Sequence, residues 1–301
     1  MNTLKLFLLA YLSILPTYGC EKVYENPAKK RYTKMTVQYK TRVNTNKNLL
    51  SLDLYYFKNH SSLKPIVIYV HGGGWCIGDK ASQISNKVNL FAKSGYIFVS
   101  VNYRLSPYPY RAGTPDRIMY PDHNNDIADA IKWIYDNIHR YGGDKSRIAL
   151  LGHSAGAHLV SLMGTNERFL ESKSLPLSLI KGVASIDTKG YDVFNEVRNS
   201  ENRMMYINAF GTKSSQNWDA SPAYNLKGEK YHPKFFIALR GSKERKNASF
   251  QFIDKLEKAG FEVVSVDGSR YNHKEINEAI GSIDDTIVTP ALIRFFEECF
   301  R

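Results

Sequence analysis

Residues 147–165 most constrain what this chain can become. Arg147–Leu151 (RIALL) is a short apolar run, Gly152-His153-Ser154-Ala155-Gly156 follows it, and Leu159, Val160 and Met163 then recur at helical spacing. A strand that turns into a helix this tightly forces Ser154 into a strained backbone conformation. Side chains at Gly152 and Gly156 would collide with the neighbouring strand and helix. The Ser154 hydroxyl is then held above a sheet at a helix N-terminus, where developing negative charge is favoured. The G-x-S-x-G pattern therefore predicts a nucleophilic serine. The bland alternative is a junction that merely needs small residues.

A second glycine run supports the sharper reading. His71-Gly72-Gly73-Gly74-Trp75 follows the apolar run Pro65–Val70 (PIVIYV). Acyl transfer passes through a tetrahedral oxyanion, which backbone N–H groups stabilise. Glycines let the backbone approach and turn its amides inward, so Gly73 and Gly74 are the expected donors, with Ala155 as the third. A phosphate loop is the competing reading. No Gly-Lys-Ser/Thr follows, however, and Ile77 stands where G-x-G-x-x-G needs its last glycine. His71 is expected to orient this loop through hydrogen bonds.

Strand-like and helix-like stretches alternate along the chain, which predicts an α/β fold with a mainly parallel sheet. Strands are expected at 65–70, 96–101, 147–151, 179–186, 234–239 and 261–266. Stretches 35–42 and 49–57 alternate and should form an antiparallel N-terminal pair. Ile127, Ala130, Ile131, Ile134 and Ile138 make one apolar helix face. Residues 248–259 read as a helix closed by Gly260, and Thr289-Pro290 as the start of the last one. Residues 103–123 and 187–232 lack clear period. Lying at strand ends, they are expected to shape a pocket. Arg104 and Asp126 read as a structural ion pair, and His153 as packing within the elbow.

The 301 residues suffice for one large domain, here 21–301. Apolar residues at 43% and charged residues at 23% exclude disordered and low-complexity classes. Three cysteines exclude a disulfide scaffold, and Cys76 and Cys299 are expected to pack as small hydrophobes. The net charge of +12 admits an anionic partner. No long Lys/Arg run or nucleic-acid motif accompanies it, so nucleic acid is not an expected partner.

Residues 1–20 carry Lys5, the apolar run Leu6–Pro16, and Thr17-Tyr18-Gly19-Cys20. This is the pattern of an export signal, and it is too short to span a bilayer. The expectation is a secreted or periplasmic protein. Cys20 directly after Gly19 also fits a lipoprotein cut, which would anchor the chain to a membrane through a lipidated Cys20. Thr17 departs from the Leu usual there.

A nucleophilic serine needs a general base, which in turn needs an orienting carboxylate. Beyond the helix carrying His158, the chain offers His232 and His273. His273 follows the strand at 261–266 and sits in a loop at a strand end. His232 precedes a strand, at the wrong end of it.

With His71–Trp75, Tyr103-Arg104-Leu105, Gly152–Leu159 (GHSAGAHL) and a late His273, the chain resembles the α/β-hydrolase superfamily over roughly residues 35–300. More narrowly it is similar to carboxylesterases of the hormone-sensitive-lipase and feruloyl-esterase-like (BD-FAE) groups. Kynurenine formamidase is similar around the same motifs. The resemblance implies a serine hydrolase that uses no cofactor and no metal. It also implies the chain order Ser, acid, His. The acid should then follow the strand at 234–239, where Glu244 is the only carboxylate before Asp254, so Glu244 is the expected triad acid. The family's usual acid there is Asp. Asp187 and Asp192, after an earlier strand, are its rivals.

The stretch 21–64 is too short for a large helical cap, so the site should be open and suit small or exposed esters, including short-chain acyl, aryl and polysaccharide-linked ones. An arylformamidase and a non-catalytic hydrolase fold used for binding are the alternatives. The sequence leaves the oligomeric state open.

Overall fold

Pleat alternation organises the core. In the computed structural model, which describes residues 22–24, 32–58, 60–109, 117–226 and 231–301, Ile66, Ile68 and Val70 face one apolar cluster. Val67 and Tyr69 between them face another. The export-signal segment and Cys20 lie outside the described residues. Both faces of the strand are apolar because the sheet is covered on both sides, as a parallel sheet must be.

Among the described residues nine strands form this one sheet. β1 (Lys22–Tyr24), β2 (Tyr32–Gln38) and β3 (Ser51–Phe57) run antiparallel, and β3 pairs antiparallel with β5 (Ile97–Val101). From β5 onward all pairings are parallel. They run through β4 (Lys64–Val70), β6 (Gly143–His153), β7 (Ile180–Ile186) and β8 (Lys234–Leu239) to β9 (Val263–Asp267). The order β1-β2-β3-β5-β4-β6-β7-β8-β9 reverses at β4. A crevice opens at such a reversal, beyond the carboxyl ends of the strands.

α1 (Ser85–Ser94), α9 (Glu275–Ala279) and α10 (Val288–Cys299) cover one face through Phe91, Ile276 and Phe295. α2 (Asp122–Asn137), α3 (Ala155–Thr165) and α8 (Lys243–Lys258) cover the other through Ile131, Leu159 and Phe252. α4 (Arg168–Glu171) packs beside α2. The predicted Arg104–Asp126 pair is there: Arg104 Nε and Nη2 reach the two Asp126 oxygens at 2.7 and 2.9 Å. It ties the end of β5 to α2.

The strand expected at 35–42 lies at Tyr32–Gln38 and the one expected at 261–266 at Val263–Asp267, and three expectations about helices also need correction. The stretch 187–232 contains α5 (Val193–Asn199), α6 (Arg203–Phe210) and α7 (Ser214–Asp219), helices too short to show a period. α8 starts five residues before the expected 248, because Ser242 caps it by accepting the Arg245 N–H and the polar Lys243–Lys246 turn has no apolar period to mark it. α10 begins before Thr289. The Asp285 carboxylate accepts the N–H groups of Ile287, Val288 and Thr289 and supplies the cap.

Candidate active site

Ser154 stands between β6 and α3 at φ 56° and ψ −118°, a conformation other side chains rarely adopt. The two glycines around it are forced by contact. A Cβ on Gly152 would lie 2.3 Å from the Gly156 carbonyl oxygen. One on Gly156 would lie 2.1 Å from that of Val70 in β4. The turn therefore closes only with glycine at both places.

His273 arrives from the loop after β9. Its Nε2 is 2.9 Å from Ser154 Oγ, and its Nδ1 is 2.5 Å from Asp187 Oδ2. His153 fixes the loop that carries it. The His153 Nε2–H donates to the His273 carbonyl at 2.8 Å, and burial holds the imidazole neutral by pulling its pKa to about 3.

Asp187 ends β7 at φ 51°, with its N–H on the Ala238 carbonyl of β8. Its side chain is 2% exposed, yet it is not starved of partners. Arg240 donates Nε to Oδ2, and Arg245 donates Nε and Nη2 to Oδ1 at 3.0 and 2.7 Å. Burial alone would raise the carboxyl pKa. The hydrogen bond from His273 and the charge of Arg245 outweigh it and hold the value at about 2.

The expected acid Glu244 is not at the site. It is exposed in the first turn of α8, and its carboxyl is held below the usual range by its own backbone N–H and by Ser242. The early start of α8 carries this position onto the outer helix face. Arg240, in the loop after β8, turns inward to Asp187 instead. Of the two rivals, Asp187 meets His273. Asp192 caps α5 through the Asn195 N–H and accepts the Tyr224 hydroxyl. His232 packs against Phe261, ring centroids 4.1 Å apart.

The glycine loop lies beside Ser154. Gly73 has φ 111°, and its carbonyl accepts the N–H groups of Cys76 and Ile77. Among the described residues no backbone carbonyl accepts the N–H of Gly73 or Gly74. Ala155 opens α3, whose first N–H groups lack partners within the helix. His71 orients the loop as expected. Its ring stacks on Tyr103 at 4.6 Å, its Nδ1–H donates to the Gly72 carbonyl, and its own carbonyl accepts the Tyr103 hydroxyl.

These groups line a cleft of about 670 Å³. The helical excursion contributes Glu196, Met205 and Tyr206 to its wall, as expected of 187–232. No described residue of 103–123 lines it; Tyr103 and Ser106 brace the glycine loop from behind. The wall is more charged than aromatic, with Lys189, Arg240, Arg245 and Lys274 around it.

His153, Asp187 and His273 are the one described cluster whose ligand atoms converge closely enough for a metal ion. Both His273 nitrogens and the Asp187 oxygens are already engaged in hydrogen bonds, so the set fits a proton relay better than a metal cage.

Sequence reasoning missed Lys87. It is fully buried on α1, with Nζ donating to the carbonyls of Gln83 and Asn277 at 3.0 and 2.5 Å. Gln83 and Asn277 both line the cleft. Burial pulls the ammonium pKa from 10.5 to about 7, partly offset by Glu278. Between these values the unfolded chain holds a proton that the folded chain lacks, so this group makes stability rise with pH over that window. From pH 7 to 9 the gain is on the order of 2 kcal/mol. Thermal midpoints at the two pH values should show it: the difference between Lys87→Met and wild type shifts in favour of wild type at pH 9. A constant difference would refute the assignment.

A model of the BD-FAE family matches residues 52–238, the span from β3 to β8 that carries the glycine loop, the elbow and Asp187. The chain belongs to the BD-FAE family. A probable isoprenylcysteine alpha-carbonyl methylesterase of Arabidopsis thaliana is 36% identical over 53% of this chain and 36% of its own length. Esterase LipQ of Mycobacterium tuberculosis is 32% identical over 67% of this chain and 48% of its own. The match thus spans half or less of these relatives. Esterase B from Lactobacillus rhamnosis superposes with a TM-score of 0.70 at 19% identity, covering 88% of this chain and 85% of that one. A truncated carbohydrate esterase from gut microbiota gives 0.71 at 18% identity, over 91% and 99%. These likenesses establish the α/β-hydrolase fold.

Proposed function

We propose that this BD-FAE member is a serine carboxylesterase. The observation that carries this reading is the hydrogen-bonded series Ser154 Oγ, His273, Asp187 beneath an open cleft. Ser154 attacks the ester carbonyl while His273 Nε2 takes its proton. Asp187 holds the Nδ1–H tautomer and stabilises the imidazolium. The N–H groups of Gly73, Gly74 and Ala155 receive the oxyanion. His273 then protonates the leaving alcohol and later activates water against the acyl-enzyme. The relatives' names, which include esterases and a methylesterase, support ester hydrolysis.

A cleft of about 670 Å³ walled by the short helices α5 and α6 supports small or exposed esters, including short-chain, aryl and polysaccharide-linked ones. The N-terminal pattern supports export, with lipidation of Cys20 as its finer form. Purified protein offered p-nitrophenyl acetate, p-nitrophenyl octanoate, methyl ferulate and N-formylkynurenine should turn over the esters, acetate faster than octanoate. Turnover of N-formylkynurenine alone would replace this reading with the formamidase one.

A further inference from the structure

The acids and bases of the cleft do not cancel. Asp187 is engaged by His273, Arg240 and Arg245. Glu196 pairs with Lys189 at 3.4 Å, and its second oxygen, though unpartnered, is sealed from solvent. Asp79 accepts from Asn48, Asn102 and the Ala81 N–H. Lys274 faces Glu278 at 3.4 Å.

Arg240 differs from all of these. It donates through Nε alone, to Asp187, and no hydrogen bond of its two terminal nitrogens is seen among the described residues. Neither nitrogen is sealed away, and the residue lines the cleft. Its side chain is 16% exposed, and the Nε bond to Asp187 anchors the guanidinium. Three hydrogen bonds separate it from the nucleophile: Arg240 to Asp187, Asp187 to His273, and His273 to Ser154. A guanidinium edge pre-oriented in this way matches the two oxygens of a carboxylate. The formal charge of +12 would draw the same kind of molecule toward the site.

We infer that the preferred substrate is an ester carrying a second, ionised acid group, and that Arg240 is the residue that selects it. The inference rests on the serine-esterase reading. The selected acid group can belong to either side of the ester bond. Two matched pairs separate the sides. 4-Acetoxybenzoate against its methyl ester places the charge on the alcohol. Mono-4-nitrophenyl succinate against 4-nitrophenyl butyrate places it on the acyl group.

Wild type should favour the charged member of at least one pair by about tenfold in kcat/KM, mostly through KM. The preference should shrink as salt is raised. Arg240→Gln lowers turnover of neutral esters too, because it removes a contact to Asp187. The charged-to-neutral ratio is therefore the readout, and it should fall to near one in Arg240→Gln. Arg240→Lys, which keeps the charge but loses the fork, should fall between, and it serves if the Gln variant does not fold. Equal or neutral-favouring ratios in wild type for both pairs would overturn the inference, as would a ratio unchanged in the variants. No Ser154-dependent turnover of any ester would instead overturn the reading on which it rests.

Discussion

Asp187→Asn should lower kcat on p-nitrophenyl acetate by about 10⁴-fold, while Glu244→Gln leaves it unchanged. The asparagine keeps the size of the side chain. It can offer its N–H to His273 Nδ1, however, and so hold the imidazole in the tautomer that cannot take a proton from Ser154 at Nε2. It also removes the charge that balances the imidazolium. Two arginines already crowd this carboxylate, so an uncharged side chain would leave Arg240 and Arg245 unpaired around it. Some loss of stability is therefore expected as well, and folding of the variant should be checked by its thermal midpoint. Glu244 is exposed on α8 and touches none of these groups, so its amide variant acts as the control. A folded Asp187→Asn enzyme with near-normal kcat would refute the assignment. So would a large loss in Glu244→Gln.

The difference between these two acids shows what was legible in the chain. The elbow and the glycine loop were readable because each is a local problem. Gly152 and Gly156 are forced by contacts within one strand–turn–helix and its neighbouring strand. His273 was readable as the partner of Ser154 because only one late histidine follows a strand end. Its carboxylate partner was not, because it depends on where several loops converge in space. Asp187 and Arg240 leave adjacent parallel strands, β7 and β8, and only the sheet register places both near His273. The start of α8 decided the matter further, since a cap by Ser242 removes Glu244 from the loop that the pattern assigned to it. Lys87 had no signal at all. A lysine at a helix position reads as solvent-facing until α9 is seen packed over it.

The arginines add a consequence for pH. Asp187 is held at about 2, so it stays ionised as acid is added until well below the range in which esterases are assayed. Its contribution to folding is fully present above the unfolded value of 3.8 and is lost as pH falls from there through about 2. Activity lost on mild acidification should therefore not be traced to protonation of Asp187.

Ser154 carries the central claim, and its replacement has the other large expected effect. Without the hydroxyl no acyl-enzyme can form, and what remains is catalysis by binding and oxyanion stabilisation. Ser154→Ala should therefore turn over every ester at least 10⁴-fold more slowly than wild type, by order of magnitude from other serine hydrolases. The most direct measurement is the adduct itself. Wild-type protein is treated with a fluorophosphonate, digested, and the modified peptide sequenced by mass spectrometry, with Ser154→Ala alongside. The account predicts one phosphonylated residue, Ser154, and no adduct in the variant. Ester turnover that survives in Ser154→Ala, or labelling at another residue with Ser154 untouched, would contradict it.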